Sequence, residues 1–506
     1  MVRITETGAD GSSSRDWRKD YDPLGRLTRA VGPAHADATL GQIRPVTRYV
    51  YNALGCLTEV RAGRSNAAGD AGADADLALL MRYDCDDFGR RVKATDALGN
   101  VWRWAHDRHG NVVRHTDAKA QQTLYNWGAG RQLLSKEVRR ADATLWRTYA
   151  YSRNALGQAT RMEARDGAGA LVIAYDYTYD DAHRLASVTD ARGGKTIRYA
   201  WSPGGLLNSK EDSDGHRTDY LYDALGRLIG IWLPNYDSVA FGHDRNGRRV
   251  QKWHSEGGIE TRYAWNADGS LAGLANWAST TLLTRHLYGY DAFGRKASAT
   301  EYFNPYSMVW TYGHDALDRI SEVRYACNGG PQLLLGAYRY DARGNRTRNT
   351  AVNGAWRQGI LDAGQRLTRI DDYSSSGTLT GAVATFQYDA NGSLTSKQTG
   401  AGSLSLTWDP EGRLASAATT GSGAVSQTYL YDDQGRRIKK TDGATATHYL
   451  YDGEDIHAQW LGCWGGGRRR WSMRPSAPGS GTISPPTRRS RAATRKDSRR
   501  SSRRPA

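Results

Sequence analysis

The sequence predicts an all-β chain, one long antiparallel strip of short strands that must coil. Three observations carry this expectation. A unit of the form Y-D-x-x-G-R-L recurs about 19 times, at intervals of 20 to 27 residues from Cys85 onward, and such a period marks repeat architecture. Each period holds a second turn, as Asp96-Ala97-Leu98-Gly99 follows Asp87-Phe88-Gly89, so each supplies two strands. No stretch keeps a 3.6-residue apolar stripe free of Gly.

The clearest copy runs from Asp219 to Leu228, D-Y-L-Y-D-A-L-G-R-L. Leu221 and Tyr222 continue an aromatic-rich alternation that suits a strand. Asp223 can cap the turn through its carboxylate, Gly226 tolerates positive φ, and Arg227 and Leu228 restart the alternation. The same grammar places structural turns at Tyr21, Asp22 and Gly25, at Tyr290, Asp291 and Gly294, and at Tyr340, Asp341 and Gly344. It recurs at Tyr388, Asp389 and Gly392 and at Tyr431, Asp432 and Gly435. Degenerate copies put Cys85, His106, His243 or His314 in the aromatic slot and His183 in the Gly slot. Trp127 (WGAGRQL) reads as a copy one residue short, and Tyr451 (YDGED) as one never finished.

About 19 periods supply on the order of 38 strands, and at about 4.8 Å per strand the sheet would run roughly 180 Å. Sheets twist, so a flat strip of that length is implausible; it coils as a spiral shell or a solenoid.

The tandem Y-D-x-x-G-R-L units over roughly residues 17 to 456 resemble the YD-repeat, or Rhs, family, which includes shells of bacterial polymorphic toxins. The resemblance implies a spiral β-sheet shell, an open or partial cocoon. In intact relatives such a shell encloses a C-terminal toxin, and its further partners are secretion machinery. It implies no catalytic, metal or cofactor-binding residues in the repeats. Relatives are secreted or lie at the cell surface.

Composition agrees with a thin wall. Phe numbers 5 against 29 Tyr and 16 Trp, and mean hydropathy is -0.68. Rings with polar tips suit a sheet wetted on both faces. The net charge of +16 sits mostly at one end. Residues 461–506 hold 13 Lys/Arg against the single acid Asp497, leaving 56 basic and 52 acidic residues on 1–460. A phosphate-seeking surface is therefore not a property of the repeat body. Cys56, Cys85, Cys327 and Cys463 share no C-x-x-C spacing and read as solitary packing thiols. The N-terminus lacks an apolar core of signal-peptide length, and no run is long enough for a membrane-spanning helix.

Taken in order, residues 1–16 read as the end of an upstream repeat or as disordered, with a turn at 7–11 that no strand precedes. Residues 62–75, rich in Gly, Ala and Asp, read as an inserted exposed loop whose Asp70, Asp74 and Asp76 are solvated and bind no calcium. The D-P-x-G tetrapeptides at Asp22 and Asp409 match the cleavage hallmark of Rhs toxins, but both lie inside the ordinary motif and read as turns. Residues 457–506 read as a disordered basic tail, either a nucleic-acid-binding arm or the product of a departed reading frame; the break inside a repeat favours the latter. The function expected is structural and non-catalytic. The alternative is a carbohydrate- or cell-surface-binding module built on the Tyr and Trp ladders.

Overall fold

The computed structural model describes residues 2–37, 40–65 and 74–461. They form a sheet of 40 strands in which chain neighbours pair antiparallel in order, from Val2–Thr7 on Ser14–Tyr21 to Thr445–Asp452 on Asp455–Leu461. One step departs from the meander. Leu27–Val31 pairs with Gln42–Tyr51, and the two-residue strand His35–Ala36 folds back on the latter. Among the described residues the one helical element is the 3-10 turn Glu256–Gly258.

Turns alternate between two edges of the strip, a YD edge carrying the Y-D-x-x-G turns and an intermediate edge carrying the second turn of each period. At the YD edge Gly226 N donates to Asp223 O at 2.9 Å, and Asp223 N to Arg227 O at 3.0 Å. This is a type I turn followed by a left-handed residue, here Gly226 at φ +75, and the register slips between Leu221 and Tyr222. Such a bulge bends its strand and increases local twist, so repeating it along one edge curls the strip. Where Gly is missing the conformation persists: Arg131, His183, Asp318 and Gln365 stand at φ +59 to +64. The flanking ladders impose it, against a strain of about 1 kcal/mol or more each.

The coil is visible in contacts between distant segments. Ala9 N donates to Ala292 O at 2.6 Å, Ala118 N to Asn391 Oδ1 at 3.0 Å, and Lys210 meets Asp452 at 2.6 Å. The chain closes one winding and lays a second against it. The separation falls from 303 residues at Arg15–Asp318 to 242 at Lys210–Asp452, so later circuits take in fewer residues. In every case the YD edge of the second winding meets the intermediate-turn side of the first.

The main buried cluster lies at this seam. Val138, Tyr149, Met162, Ala164, Ile173 and Tyr175 of the first winding close on Ile438 of the second, with Trp146, Tyr151, Tyr177, Val188 and Leu430 around them. Elsewhere most strand residues are half-buried, as expected of a single sheet with two wet faces.

Several expectations need correction. The turn near residues 7–11 is preceded by a strand, Val2–Thr7, which carries only Val2 and Ile4 as apolar signals. The predicted loop 62–75 begins and ends in strand, Leu57–Ser65 and Ala75–Cys85; Ala62 and Ser65 are buried, and residues 66–73 lie outside the described residues. Asp74 is not solvated, because Arg29 and Arg48 each bridge it at 2.6 Å. WGAGRQL is a full-length copy: Arg131 takes the left-handed position, and its amide donates to Gly128 O at 3.0 Å. The unit at Tyr451 is completed by a tight turn pairing Asp452 with Asp455. The basic tail expected to be disordered from residue 457 starts later, because Asp455–Leu461 is a strand paired with Thr445–Asp452; residues 462–506 lie outside the described residues.

Candidate functional site

The motif residues assemble into a ladder running from turn to turn along the YD edge. Asp223 Oδ1 accepts the amides of Leu225 and Arg227, both at 2.9 Å, while Oδ2 takes Arg227 Nε at 2.7 Å. The Arg227 amide, then its guanidinium and the Leu225 amide, hold this carboxyl below its usual range despite some burial. Arg227 Nη1 reaches forward to Asp244 O of the next YD turn at 3.1 Å. The aromatic slot reaches back, Tyr222 OH donating to Leu207 O at 3.1 Å. Each unit is thereby tied to both neighbours.

The ladder repeats with other side chains. Tyr290, Tyr340 and Tyr388 donate to Leu271 O, Ile320 O and Leu367 O at 2.7–2.8 Å, and Trp201, Trp265 and Trp408 use Nε1 for the same bond at 2.8 Å. Phe cannot make it, which accounts for the scarcity of Phe. The motif Arg also lies over the ring of the next unit: Arg26 over Tyr51 at 4.9 Å, Arg319 over Tyr340 at 4.3 Å, Arg413 over Tyr431 at 5.3 Å.

The sequence-derived Asp and Gly turn residues lie on this ladder. Asp22, Asp291, Asp341, Asp389 and Asp432 each accept the amide four residues on at 2.9–3.0 Å. Gly25, Gly294, Gly344, Gly392 and Gly435 lie at φ +73 to +89. Tyr21 is exposed, and Tyr431 is covered by Arg413. His106, His243 and His314 end strands with the same register slip as Tyr222.

One rung is different, and it overturns the reading of solitary thiols for Cys56 and Cys85; Cys463 lies outside the described residues. Cys56 occupies the Arg slot of its unit and Cys85 the aromatic slot of the next. The contact that elsewhere joins guanidinium to ring is here a disulfide with Cα atoms 6.6 Å apart. The small sulfur pair leaves a cleft of about 550 Å³, bounded also by Trp104 and His106. Cys327 is free and exposed.

The seam is the second constellation, and the motif did not reveal it. Glu411, at the tip of a second-winding turn, meets Lys136 at 2.8 Å and accepts from the Tyr149 hydroxyl. Burial, then the Glu411 charge, pushes the Tyr149 phenol up to about 12. Asp452 takes Lys210 at 2.6 Å and Tyr199 OH at 2.7 Å; burial opposes its charge, yet Lys210 holds the carboxyl below the usual range. Asp433 has Tyr151 OH at 3.3 Å, and burial together with Asp432 raises it. Asp212, Asp214 and His216 lie close enough together to hold a cation. Their other duties are structural: Asp212 caps its turn through the amides of Asp214 and His216, His457 reaches it from the second winding at 3.3 Å, and Lys195 bridges Asp214.

The geometry is that of a wall, with repeat rungs along it and a seam between windings. Known families match it in complementary places: the RHS Repeat covers residues 86–122 and 179–217, and the Teneurin YD-shell covers 275–459. The chain is a YD/RHS-repeat protein. Among relatives, the double-stranded DNA deaminase toxin A of Burkholderia cenocepacia is 25% identical over 87% of this chain and 30% of its own length. Toxin protein Tse5 of Pseudomonas aeruginosa is 26% identical over 62% of this chain and 23% of its own. The Photorhabdus luminescens Tc holotoxin pore shares the fold, with a TM-score of 0.60 and 15% identity over 88% of this chain and 24% of that one. The chain spans less than a third of the length of these relatives. It is thus homologous to shell regions of toxin proteins, and no helix among its described residues is long and apolar enough to cross a membrane.

Proposed function

We propose that this YD/RHS chain is a non-catalytic wall segment of a bacterial polymorphic-toxin shell, with residues 17–456 as its repeat array. In the whole protein the wall would enclose a C-terminal toxin domain and keep it from the cell that makes it. The observation that supports this most directly is the seam. A strip whose second winding locks onto its first through Lys136–Glu411, Lys210–Asp452 and a shared apolar cluster would, continued in the whole protein, build a wall between two volumes. The named activities of relatives, DNA deamination among them, belong to those proteins and would lie beyond the wall.

The glycan-binding reading has less support. The rings that would stack on sugars have their tips bonded to backbone carbonyls and their faces approached by Arg.

Limited proteolysis of the whole gene product tests the proposal. The C-terminal domain should survive digestion in the wild type and be cut in a Lys136→Glu, Lys210→Glu variant. Equal digestion in both refutes enclosure. The purified chain should turn over neither DNA nor tRNA.

A further inference from the structure

The seam pairs Lys136–Glu411 and Lys210–Asp452 set a carboxylate against a lysine. At Asp212 two imidazoles converge on one carboxylate instead. His216 Nδ1 stands 3.1 Å from Asp212 Oδ1 and 3.2 Å from Oδ2, and His457 Nε2 stands 3.3 Å from the same Oδ2. His216 shares its turn with Asp212 in the first winding, whereas His457 comes from the strand Asp455–Leu461 of the second, 245 residues from Asp212. The side chains of Asp212 and His457 are 4% and 9% exposed, so both are more than nine-tenths buried.

The turn itself does not require an imidazole. In earlier intermediate turns the residue at the position of His216 is Asn100, Gln121, Thr144 or Ala170, each giving its carbonyl to the same turn bond. Asn100 also donates its side-chain amide to Asp96 at 2.7 Å. His457 is a separate departure, in another winding, aimed at the same carboxylate.

The distances match donors grouped around an ion. A charge-assisted N–H···O bond runs about 2.7–2.9 Å, and the seam lysines meet their carboxylates at 2.6 and 2.8 Å. Donors held about 2.0–2.1 Å from a tetrahedral zinc stand about 3.3 Å from one another. Asp212 Oδ1 already accepts the amides of Asp214 and His216, which leaves Oδ2 turned toward the rings. Asp214 is near enough to supply a further donor, since one ligand atom each from Asp212, Asp214 and His216 lie within 4.8 Å of one another; its Oδ1 also meets Lys195 at 2.6 Å. Two imidazoles beside carboxylates suit zinc, whereas calcium and magnesium take oxygen donors.

We propose that Asp212, His216 and His457, with Asp214, form a zinc site that clasps the second winding to the first. Each imidazole binds as a neutral ligand through the nitrogen that faces Asp212 and keeps its proton on the other. The clasp depends on the seam alone and not on what the shell encloses.

Calorimetric titration of the untagged, chelator-treated chain with zinc tests it. One zinc should bind per chain, and millimolar calcium or magnesium should not displace it. His216→Asn supplies the residue that follows Asp96 at this position, and His457→Gln keeps a polar side chain in place, so both variants should keep the wild-type circular dichroism. Each should weaken zinc binding by about 100-fold or more. Hydrogen exchange reads the clasp separately. With zinc at about 100 times its Kd, opening that breaks the site becomes about 100-fold rarer, so Asp455–Leu461 and Leu207–Asp212 should slow while Leu333–Tyr340 stays unchanged. A wild-type chain that binds no zinc overturns the proposal and leaves two hydrogen bonds on Asp212. So does zinc binding that both variants retain, which would assign the metal to another place, such as the Cys327 thiol. Binding lost in His216→Asn alone, without slower exchange in Asp455–Leu461, would confine the metal to one turn and overturn the clasp.

Discussion

Replacing Lys210 by Met isolates what the seam contributes. Lys210 and Asp452 lie 2.6 Å apart with side chains 11% and 21% exposed, so removing the cation strands a carboxylate in a poorly hydrated place. Breaking a fully buried pair costs about 3–5 kcal/mol. Asp452 keeps the Tyr199 hydroxyl at 2.7 Å and some access to solvent, which reduces the expected loss to about 2–3 kcal/mol. The effect should be local, because a repeat array opens in parts and not as a whole. Hydrogen exchange should accelerate in Leu207–Asp212 and Thr445–Asp452 and stay unchanged in Leu333–Tyr340. The pH dependence supplies an independent sign. In the wild type the Asp452 carboxyl is held below its usual value of 3.8; its contribution is complete above that value and is lost as pH falls through the lower folded one. In Lys210→Met, burial acts without the cation and raises the carboxyl, so protonation relieves the stranded charge and stability increases as pH falls toward 4. Uniform acceleration across all strands, or the same pH slope in both proteins, would refute the assignment.

Gly226→Val should cost its unit about 1–2 kcal/mol or more through strain at φ +75, whereas Leu225→Ala, at an exposed tip, should cost under about 0.5 kcal/mol; equal losses in local hydrogen exchange would contradict the turn assignment. Tyr290→Phe keeps the ring but removes the bond to Leu271 O, and urea unfolding should register about 1 kcal/mol. Cys56→Ser opens a 29-residue loop, with an expected loss of about 3–4 kcal/mol by the unfolded-state argument. Peptide mapping without reductant should recover Cys56 linked to Cys85, and two free thiols there would remove that rung.

What the sequence disclosed was local. The turn at Asp223 to Gly226 is written in four adjacent residues, each with its own physical reason, so its conformation and its repetition are legible without any fold. The ring-tip bond left a trace too, in the excess of Tyr and Trp over Phe, but its acceptor lies one strand back and only the pairing register identifies Leu207 O. The disulfide was legible in principle. It required aligning the Arg slot of one unit with the aromatic slot of the next, because Cys56 and Cys85 replace the two halves of one contact and not two equivalent positions. The seam was not legible, since pairing Lys210 with Asp452 requires knowing how many residues one circuit takes. Its one trace is a few polar turn tips in the second winding, Arg343, Asn391 and Glu411, which find partners on the winding they cover.

A wall one sheet thick cannot take its stability from a core, because each strand has only neighbours in its own plane and water over much of both faces. The rungs answer that deficiency. An Arg that bonds its own turn Asp, lies over the next ring and donates to the next turn's carbonyl joins two units through three contacts. All are within reach of solvent, and none requires burial on both sides. Lys could satisfy the charge but not the fork, so the slot favours a planar guanidinium. Some copies that lose Arg take Asn or Gln, as Asn111 bonds Asp107 at 2.8 Å and Gln158 bonds His183 O at 2.8 Å, while others take Ser, Leu or Cys. The Asn and Gln rungs keep the hydrogen bonds and forfeit the ring contact. Strength along the strip is therefore distributed among many modest, similar links, while strength across it is concentrated in the few charged pairs and the one apolar cluster of the seam. A shell built this way yields first between windings and last along them, so opening it would separate circuits before it unravelled strands.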